Sequence, residues 1–583
     1  MEVPQAPPTD IPFEQSGRRL SVVFGPSDPP LLETTLGAFI QEQVSRYRNH
    51  DAVIVPWQSA RRTYQDLADR SKLVAKSLLG AGLKRGDCVA IMAGNCYEYV
   101  EIFLGGARIG CPVVVLNTTF SPGELQKAIS RVKCKVLFIA RNVGSRSLRG
   151  HADSLLRSSR QFRHLVFLGK EITREKADRM QAYESFISGD SLTSINEAIL
   201  EEAEQKVENS DVLNLQFTSG TTGFPKAASL THRNLLNDGR FVGRAMRLTE
   251  NDVICCPPPL FHCFGLVMGF LAAFCHGSSI VFPSDSFNPH KTLESVFRLK
   301  ATALLGVPTM FLAELEALEK TKQQLTTVRT GLIAGAPVSP VVMESIRKKM
   351  NIPGMLIAYG MTETSPVTFI TSLDDSTDKM FNSIGRVLPH TGAKVIDGNG
   401  QPVPVGARGE ICTSGFALQK GYWDDDDKTS EVMKQDENGV VWMHTGDEGF
   451  VDAEGYGHIT GRIKDLIIRG GENISPGEIE DRLLKNPAVG ECCVVGLEDK
   501  KYGEVVACFL RAAANDSSTR LSDEQVRAWI SQKLDRIKEP KYVFWVGDAD
   551  VGSDIPKTGS GKYQKHLVRA LGNSLVKRRM AKL

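Results

Sequence analysis

Between residues 88 and 169 one alternation repeats, and it restricts the fold sharply. CVAIMAG (88–94) is continuously apolar and ends at Gly94-Asn95. YEYVEIFLGGARIG (97–110) carries a helical pattern around a Gly pair. CPVVVLN (111–117), KVLFIA (135–140) and HLVFLG (164–169) are further apolar runs, and ELQKAISRVK (124–133) is a helix between two of them. A strand apolar at every position needs cover on both faces, which a parallel sheet flanked by crossover helices supplies. SSIVFP (278–283), TALLGVP (302–308) and RTGLIAGAP (329–337) extend the pattern, each ending in a Gly- or Pro-containing turn. The fold class is therefore α/β, with doubly wound sheets in a large N-terminal region. Ligands of open α/β sheets sit beyond the carboxyl ends of strands, where these turns fall.

The pattern changes near residue 395. AKVIDGNG (393–400), GEICTSG (409–415), GVVWMHTGD (439–447) and GYGHITG (455–461) are short β-like runs broken by Gly/Asp turns. They predict a small, mostly antiparallel β unit. The acidic run Asp424 to Asp427 falls within it and reads as a solvated loop. After GRIKD (461–465) an α+β pattern begins: SPGEIEDRLLKN (475–486) opens a helix with Pro near its first turn, and ECCVVG (491–496) and EVVACFLRA (504–512) are strands. SDEQVRAWISQKL (522–534) has the Ser522/Gln525 spacing of a capping box. A large region, a short hinge and a C-terminal domain of about 120 residues follow, consistent with a chain of 583 residues.

Totals exclude several classes. A net charge of +2 and the absence of a basic stripe argue against nucleic acid as a partner. Twelve cysteines without a C-x-x-C suit neither a zinc site nor a disulfide framework, and predict reduced core thiols. The most hydrophobic run, Cys263 to Cys275, spans 13 residues and is too short to cross a bilayer; it predicts a buried helix. The N-terminal stretch lacks an apolar signal segment. The final Ala581-Lys582-Leu583 varies the peroxisomal Ser-Lys-Leu address behind a basic stretch, LVKRRM. It predicts a matrix protein carried by the peroxisomal import receptor.

The chemistry-bearing stretches lie between and beyond the strands. TSGTTGFPK (218–226) follows the strand-like VLNLQF. It fails the P-loop pattern, because Gly220 and Gly223 are too close and Lys226 follows a proline. Its logic still suits phosphate: glycines let backbone N–H groups converge on an anion, while the hydroxyls of Thr218, Ser219, Thr221 and Thr222 donate. Tyr359-Gly360-Met361-Thr362-Glu363 offers an aromatic face, a hydroxyl and a carboxylate able to hold Mg²⁺. Thr445-Gly446-Asp447 places a carboxylate after a glycine turn. Arg462 and Lys464 follow in GRIKD, and PKTGSGK (556–562) puts Lys562 on a glycine-rich turn.

These motifs, in this order and over about residues 35 to 570, resemble the adenylate-forming enzymes: acyl-CoA synthetases, 4-coumarate–CoA ligases, firefly luciferase and peptide-synthetase adenylation domains. The resemblance implies ATP, Mg²⁺ and CoA, and two steps. A carboxylate attacks the α-phosphate to give acyl-adenylate and pyrophosphate, and a thiol then displaces AMP. It also implies domains: an N-terminal extension (1–34), a large AMP-binding domain (35–461, β-rich from about 390), a hinge (462–465), a mobile lid domain (466–580) and the targeting tripeptide (581–583).

Roles carry over residue by residue. Thr218 to Lys226 would close over the β- and γ-phosphates. Tyr359 would stack on adenine, with Gly335, Ala336 and Pro337 as the opposite wall. Gly360 and Met361 complete that nucleotide loop, Thr362 would contact the α-phosphate, and Glu363 would hold Mg²⁺. Asp447 would bind the ribose hydroxyls, with Arg462 in support. Lys562 would bridge the two reacting groups during adenylation and then leave as the lid rotates about Lys464. That rotation brings the Gly470-Gly471 strand to the pantetheine tunnel. His262, in PPLFHCFG, resembles an acyl-pocket gate, or is a core histidine; Lys557 acts directly, or only orders its loop. The apolar VMGFLAAF (267–274) and GVPTM (306–310) point to a medium- or long-chain fatty or polyketide-like acid, with a cinnamate-type aryl acid, carrier-protein loading and a luciferase-like oxygenase as alternatives. A silent binding protein is disfavoured by intact Glu363, Asp447 and Lys562.

Overall fold

The computed structural model describes residues 19–158, 164–169, 180–189, 195–218, 225–321, 323–513, 520–557 and 563–580. Two large sheets dominate. A seven-stranded sheet runs Met180–Ala182, His164–Phe167, Val136–Ile139, Val89–Met92, Val113–Val115, Val212–Thr218 and Lys226–Thr231 across its width, parallel except for the last strand. A nine-stranded sheet has six parallel inner strands and antiparallel edges.

Continuously apolar strands arise here for the expected reason. Val89 and Ile91 face the core shared by both sheets, while Ala90 and Met92 face a second core under the helix Pro122–Arg131. The shared core also holds the helices Leu36–Tyr47, Tyr64–Gly80, Tyr97–Arg108 and His232–Ala245. Tyr97–Arg108 is buried at every residue, and its charged members are partnered there, Glu101 by Arg62 and Arg70, and Arg108 by Glu204.

The apolar run at 263–275 is buried as expected, but its form was not legible. Phe264–Leu271 is a π-helix that passes into the short α-helix Ala272–Cys275. π-Turns are uncommon and concentrate at functional sites. Among the described residues no helix is long and apolar enough to cross a membrane. All twelve cysteines are free and all but Cys275 are buried, and burial raises the thiol pKa of most, so they are poor nucleophiles.

A six-stranded antiparallel sheet forms the small β unit, from Thr391–Ile396 to Gly457–Arg462. Its edge strand is Val22–Phe24, paired with Gly392, Ala393 and Lys394, so the segment preceding residue 35 contributes a strand to this sheet. The acidic run is more than a solvated loop: Asp425 caps the helix Asp426–Val432 and pairs with Arg131 at 2.5 Å, while Asp424 meets Lys133 at 3.2 Å. These pairs fasten the β unit to the seven-stranded sheet's helical cover.

Beyond residue 465, a five-stranded sheet carries the helices Pro476–Leu484, Asp523–Ser531 and Lys565–Met580. Ser522 and Gln525 form the anticipated capping box. Gly470 and Gly471 are not within a strand. They are the turn of a two-residue hairpin joining Ile467–Arg469 to Glu472–Ile474, with φ of +62° and +91°. Two successive positive φ values need glycine-like residues, and the GG pair supplies them.

Candidate active site

Tyr359 stands at the carboxyl end of the strand Gly354–Gly360 in the nine-stranded sheet. The neighbouring strand Thr330–Ala334 pairs Ala334 with Ala358, so Gly335, Ala336 and Pro337 leave the sheet beside Tyr359. Gly360 is then forced by space, since a Cβ there would lie 1.8 Å from the Pro366 carbonyl oxygen. Met361 leads into a single 3₁₀ turn, Thr362–Thr364, which carries Glu363.

Asp447 arrives from the small β unit. It is 5% exposed, and its register partner on the next strand is Arg462. The Tyr359 hydroxyl donates to Asp447 Oδ2 at 2.7 Å, and Arg462 Nε lies 2.6 Å from Oδ1. Burial and the Asp447 charge push the Tyr359 phenol pKa well up, so it remains a donor. The aspartate is thus held from both sides by residues of two different sheets.

The turn bearing Asp447 has its own support, which the sequence motifs did not reveal. Glu410 Oε1 accepts from the Gly446 N–H at 3.0 Å, and its Oε2 meets His444 Nδ1 at 2.9 Å. Burial would raise the Glu410 pKa, but His444 and the Gly446 amide hold it below the usual carboxylate value. Cys412 approaches this pair, with all three ligand atoms within 4.8 Å of one another. Both Glu410 oxygens are engaged, so the trio is best explained as the back support of the turn. Alternate positions on facing strands were the available signal.

Glu363 and Lys226 meet through a residue that sequence reasoning also missed. Glu363, 5% exposed, accepts a hydrogen bond from the Tyr422 hydroxyl at 2.8 Å. Lys226 Nζ sits 4.6 Å from the Tyr422 ring centroid. Thr218 and Lys226 are register partners closing the hairpin of Val212–Thr218 and Lys226–Thr231. Ser219, Gly220, Thr221, Thr222 and Gly223 lie outside the described residues, as do Lys562 and the tripeptide Ala581, Lys582 and Leu583.

His262 is half-buried just before the π-helix, and its Nδ1 accepts from the Phe264 N–H at 3.2 Å. In the neutral ring this leaves the proton on Nε2. Lys464 is exposed on the 3₁₀ turn Ile463–Asp465, where the small β unit ends. The hairpin at Gly470 borders a cleft of about 370 Å³ lined by Arg469, Glu472, Tyr502, Arg536 and Ile537.

Lys557 and Tyr563 pair across the base of the PKTGSGK turn. Both reach Glu491: Lys557 by an ion pair, Tyr563 through its hydroxyl at 2.9 Å. Arg511 reaches the same carboxylate at 2.8 Å. Lys557 is therefore committed to closing the loop. The structure gathers Tyr359, Asp447 and Arg462 in one cluster and Glu363 and Lys226 in a second, joined by the turn from Tyr359 to Glu363.

An aromatic at the carboxyl end of a parallel strand, beside a buried aspartate fixed by an arginine, is the arrangement expected of an adenylate-forming enzyme. Residues 40–423 match the family model described as AMP-binding enzyme, and residues 478–562 match its C-terminal domain. The chain belongs to the AMP-binding, adenylate-forming family. It is 46% identical to the acyl-CoA ligase sidI of Aspergillus fumigatus over 97% of this chain and 95% of that protein. It is 40% identical to the acyl-CoA ligase cnsG of Penicillium expansum over 99% and 100%. The fold superposes with a TM-score of 0.82 on an anthranilate CoA ligase solved with anthranoyl-AMP, at 23% identity, covering 95% of this chain and 99% of that one. The protein is an ATP-dependent acid–CoA ligase that works through an acyl-adenylate.

Proposed function

We propose that this ligase activates a medium- or long-chain fatty or polyketide-like acid, and that the two clusters divide the first step between them. The observation that carries this reading is the Asp447 carboxylate, fixed by Tyr359 at 2.7 Å and Arg462 at 2.6 Å. A carboxylate pre-aimed in this way accepts the two ribose hydroxyls without reorganising. Tyr359 presents its ring to adenine, and Gly335 to Pro337 form the other wall. Thr362 donates to the α-phosphate, while Thr218, Lys226 and the intervening loop take the β- and γ-phosphates.

Glu363 suits Mg²⁺: a buried carboxylate offering hard oxygen donors matches an ion that is held by one or two carboxylates plus phosphate oxygens. When bound, that ion would neutralise charge on the leaving pyrophosphate. Lys562 orients the acid's carboxylate against the α-phosphate. The lid then turns about Lys464, and the CoA thiol displaces AMP. The cleft beside Gly470, with Tyr502 and two arginines, supports thiol entry on that side, since an aromatic face and guanidiniums suit a phosphate-bearing nucleotide.

An apolar acid is supported by the buried π-helix, which begins two residues after His262 and whose Phe264, Leu266, Val267 and Met268 are all nearly inaccessible. The test is acid-dependent pyrophosphate release across fatty, polyketide-like, cinnamate-type and short polar acids, with CoA or a phosphopantetheine carrier. Apolar acids should dominate with CoA. Preference for short polar acids would overturn the acid assignment, and turnover only with the carrier would overturn CoA. The tail Ala581-Lys582-Leu583 supports import into the peroxisomal matrix. A fluorescent fusion should lose its punctate signal when these residues are deleted; an unchanged distribution refutes the assignment.

A further inference from the structure

We propose that Tyr422 is a positioning residue for adenylation: it stands between Lys226 and Glu363, keeping the ammonium and the carboxylate from neutralising one another before MgATP arrives. The inference rests on reading Lys226 as a phosphate contact and Glu363 as the Mg²⁺ ligand.

The segment around Tyr422 is built as a staple. The Gln419 N–H donates to the Glu363 carbonyl at 2.8 Å, fixing one end to the turn that carries the carboxylate. The Lys420 N–H donates to the Ser229 carbonyl at 2.9 Å, the Ser229 N–H to Gly421 at 3.0 Å, and the Trp423 N–H to Ala227 at 2.8 Å. Tyr422 is thereby paired with Ala228, two residues from Lys226. The last three contacts join this segment to the strand Lys226–Thr231, about two hundred positions earlier, and leave Tyr422 6% exposed.

The side chain uses both of its chemistries at once. Its hydroxyl gives Glu363 Oε1 one hydrogen bond at 2.8 Å, and its ring face holds the Lys226 ammonium at 4.6 Å. An ionised carboxylate can only accept, so the phenol hydroxyl is the donor in this contact. A direct Lys226–Glu363 ion pair in this partly buried site would have to be broken by every incoming nucleotide. A cation–π contact is the weaker hold, so the ammonium can transfer to phosphate oxygens. The single phenol hydrogen bond fixes the carboxylate while an anionic oxygen pair still has lone pairs for a cation.

Calorimetric titration of the full chain with ATP, in Mg²⁺ and in EDTA, tests this. Tyr422→Phe keeps the ring and should weaken ATP binding in Mg²⁺ by about tenfold, the worth of a charge-assisted hydrogen bond, with little change in EDTA. Tyr422→Leu should weaken binding in both, because Lys226 then pairs with Glu363. A thermal midpoint for Tyr422→Phe close to the parent's keeps misfolding out of the comparison. Parent-like MgATP binding by Tyr422→Phe, or an equal loss in Mg²⁺ and EDTA, overturns the proposal. Glu363→Gln should erase the difference between Mg²⁺ and EDTA. If it does so while Tyr422→Phe is parent-like, only the role of Tyr422 fails; if it does not, the metal reading fails and takes this inference with it.

Discussion

Replacing Lys562 by alanine is expected to abolish acid-dependent pyrophosphate release while leaving thioester formation from supplied acyl-AMP within about threefold of the parent. The loss should be about a hundred- to a thousandfold, the usual result of removing one pre-aimed donor from developing negative charge. The asymmetry follows from the two steps. A cation between carboxylate and α-phosphate speeds the first, and the same side chain would obstruct the thiol in the second. The structure sharpens which lysine of PKTGSGK to test. Lys557 is already engaged by Glu491, with Asp554 at 3.7 Å, and Gln564 donates to its carbonyl at 2.7 Å. It closes the loop and cannot also meet substrate without breaking that pair. Lys557→Ala should therefore depress adenylation less, through loosened positioning of Lys562. Separate half-reaction assays decide the matter: an equal loss in both for Lys562→Ala contradicts the two-step division.

How far the sequence reached follows from the range of the interactions. Strands such as Val89–Met92 were legible because two-sided burial writes itself into every residue. Tyr359, Glu363, Asp447 and Arg462 were legible because each sits in a compact, characteristic stretch. Their convergence was not, because Tyr359 and Asp447 come from different sheets 88 positions apart. Tyr422 was hidden for the same reason: nothing local distinguishes GYW from an ordinary turn until Ala228 is placed opposite it. Glu410 supports the Asp447 turn through the Gly446 amide, so its place on a strand facing that of His444 was the one sequence hint of that contact. The Gly470-Gly471 hairpin is a different case. Its signal, paired glycines between β-like residues, is local and marks a tight turn, not a strand interior. The π-helix had no signal, since a uniformly apolar run has no period to distinguish π from α.

The second large effect is expected at Asp447. Asp447→Asn preserves volume and can still accept from Tyr359, but it loses the charge that aligns Arg462 and that would accept two ribose hydroxyls. Hydrogen bonds to charged groups contribute about 1.5–3 kcal/mol each, so weakening two should lower kcat/KM for ATP by about a hundredfold or more. The fold should survive. Breaking a buried pair normally strands a charge at high cost, yet the Arg462 side chain is 51% exposed and water can replace its partner. A loss of activity with little change in thermal midpoint is therefore the expected signature. The sharper readout is the sugar. The parent enzyme should prefer ATP strongly over 2′,3′-dideoxy-ATP, because removing the hydroxyls leaves the Asp447 charge facing nothing. In Asp447→Asn that charge is gone, so the penalty for the missing hydroxyls should shrink and the two nucleotides should approach equal efficiency. If the variant discriminates as well as the parent, the ribose is read elsewhere, and the Tyr359–Asp447–Arg462 cluster serves the packing of the small β unit against the nine-stranded sheet.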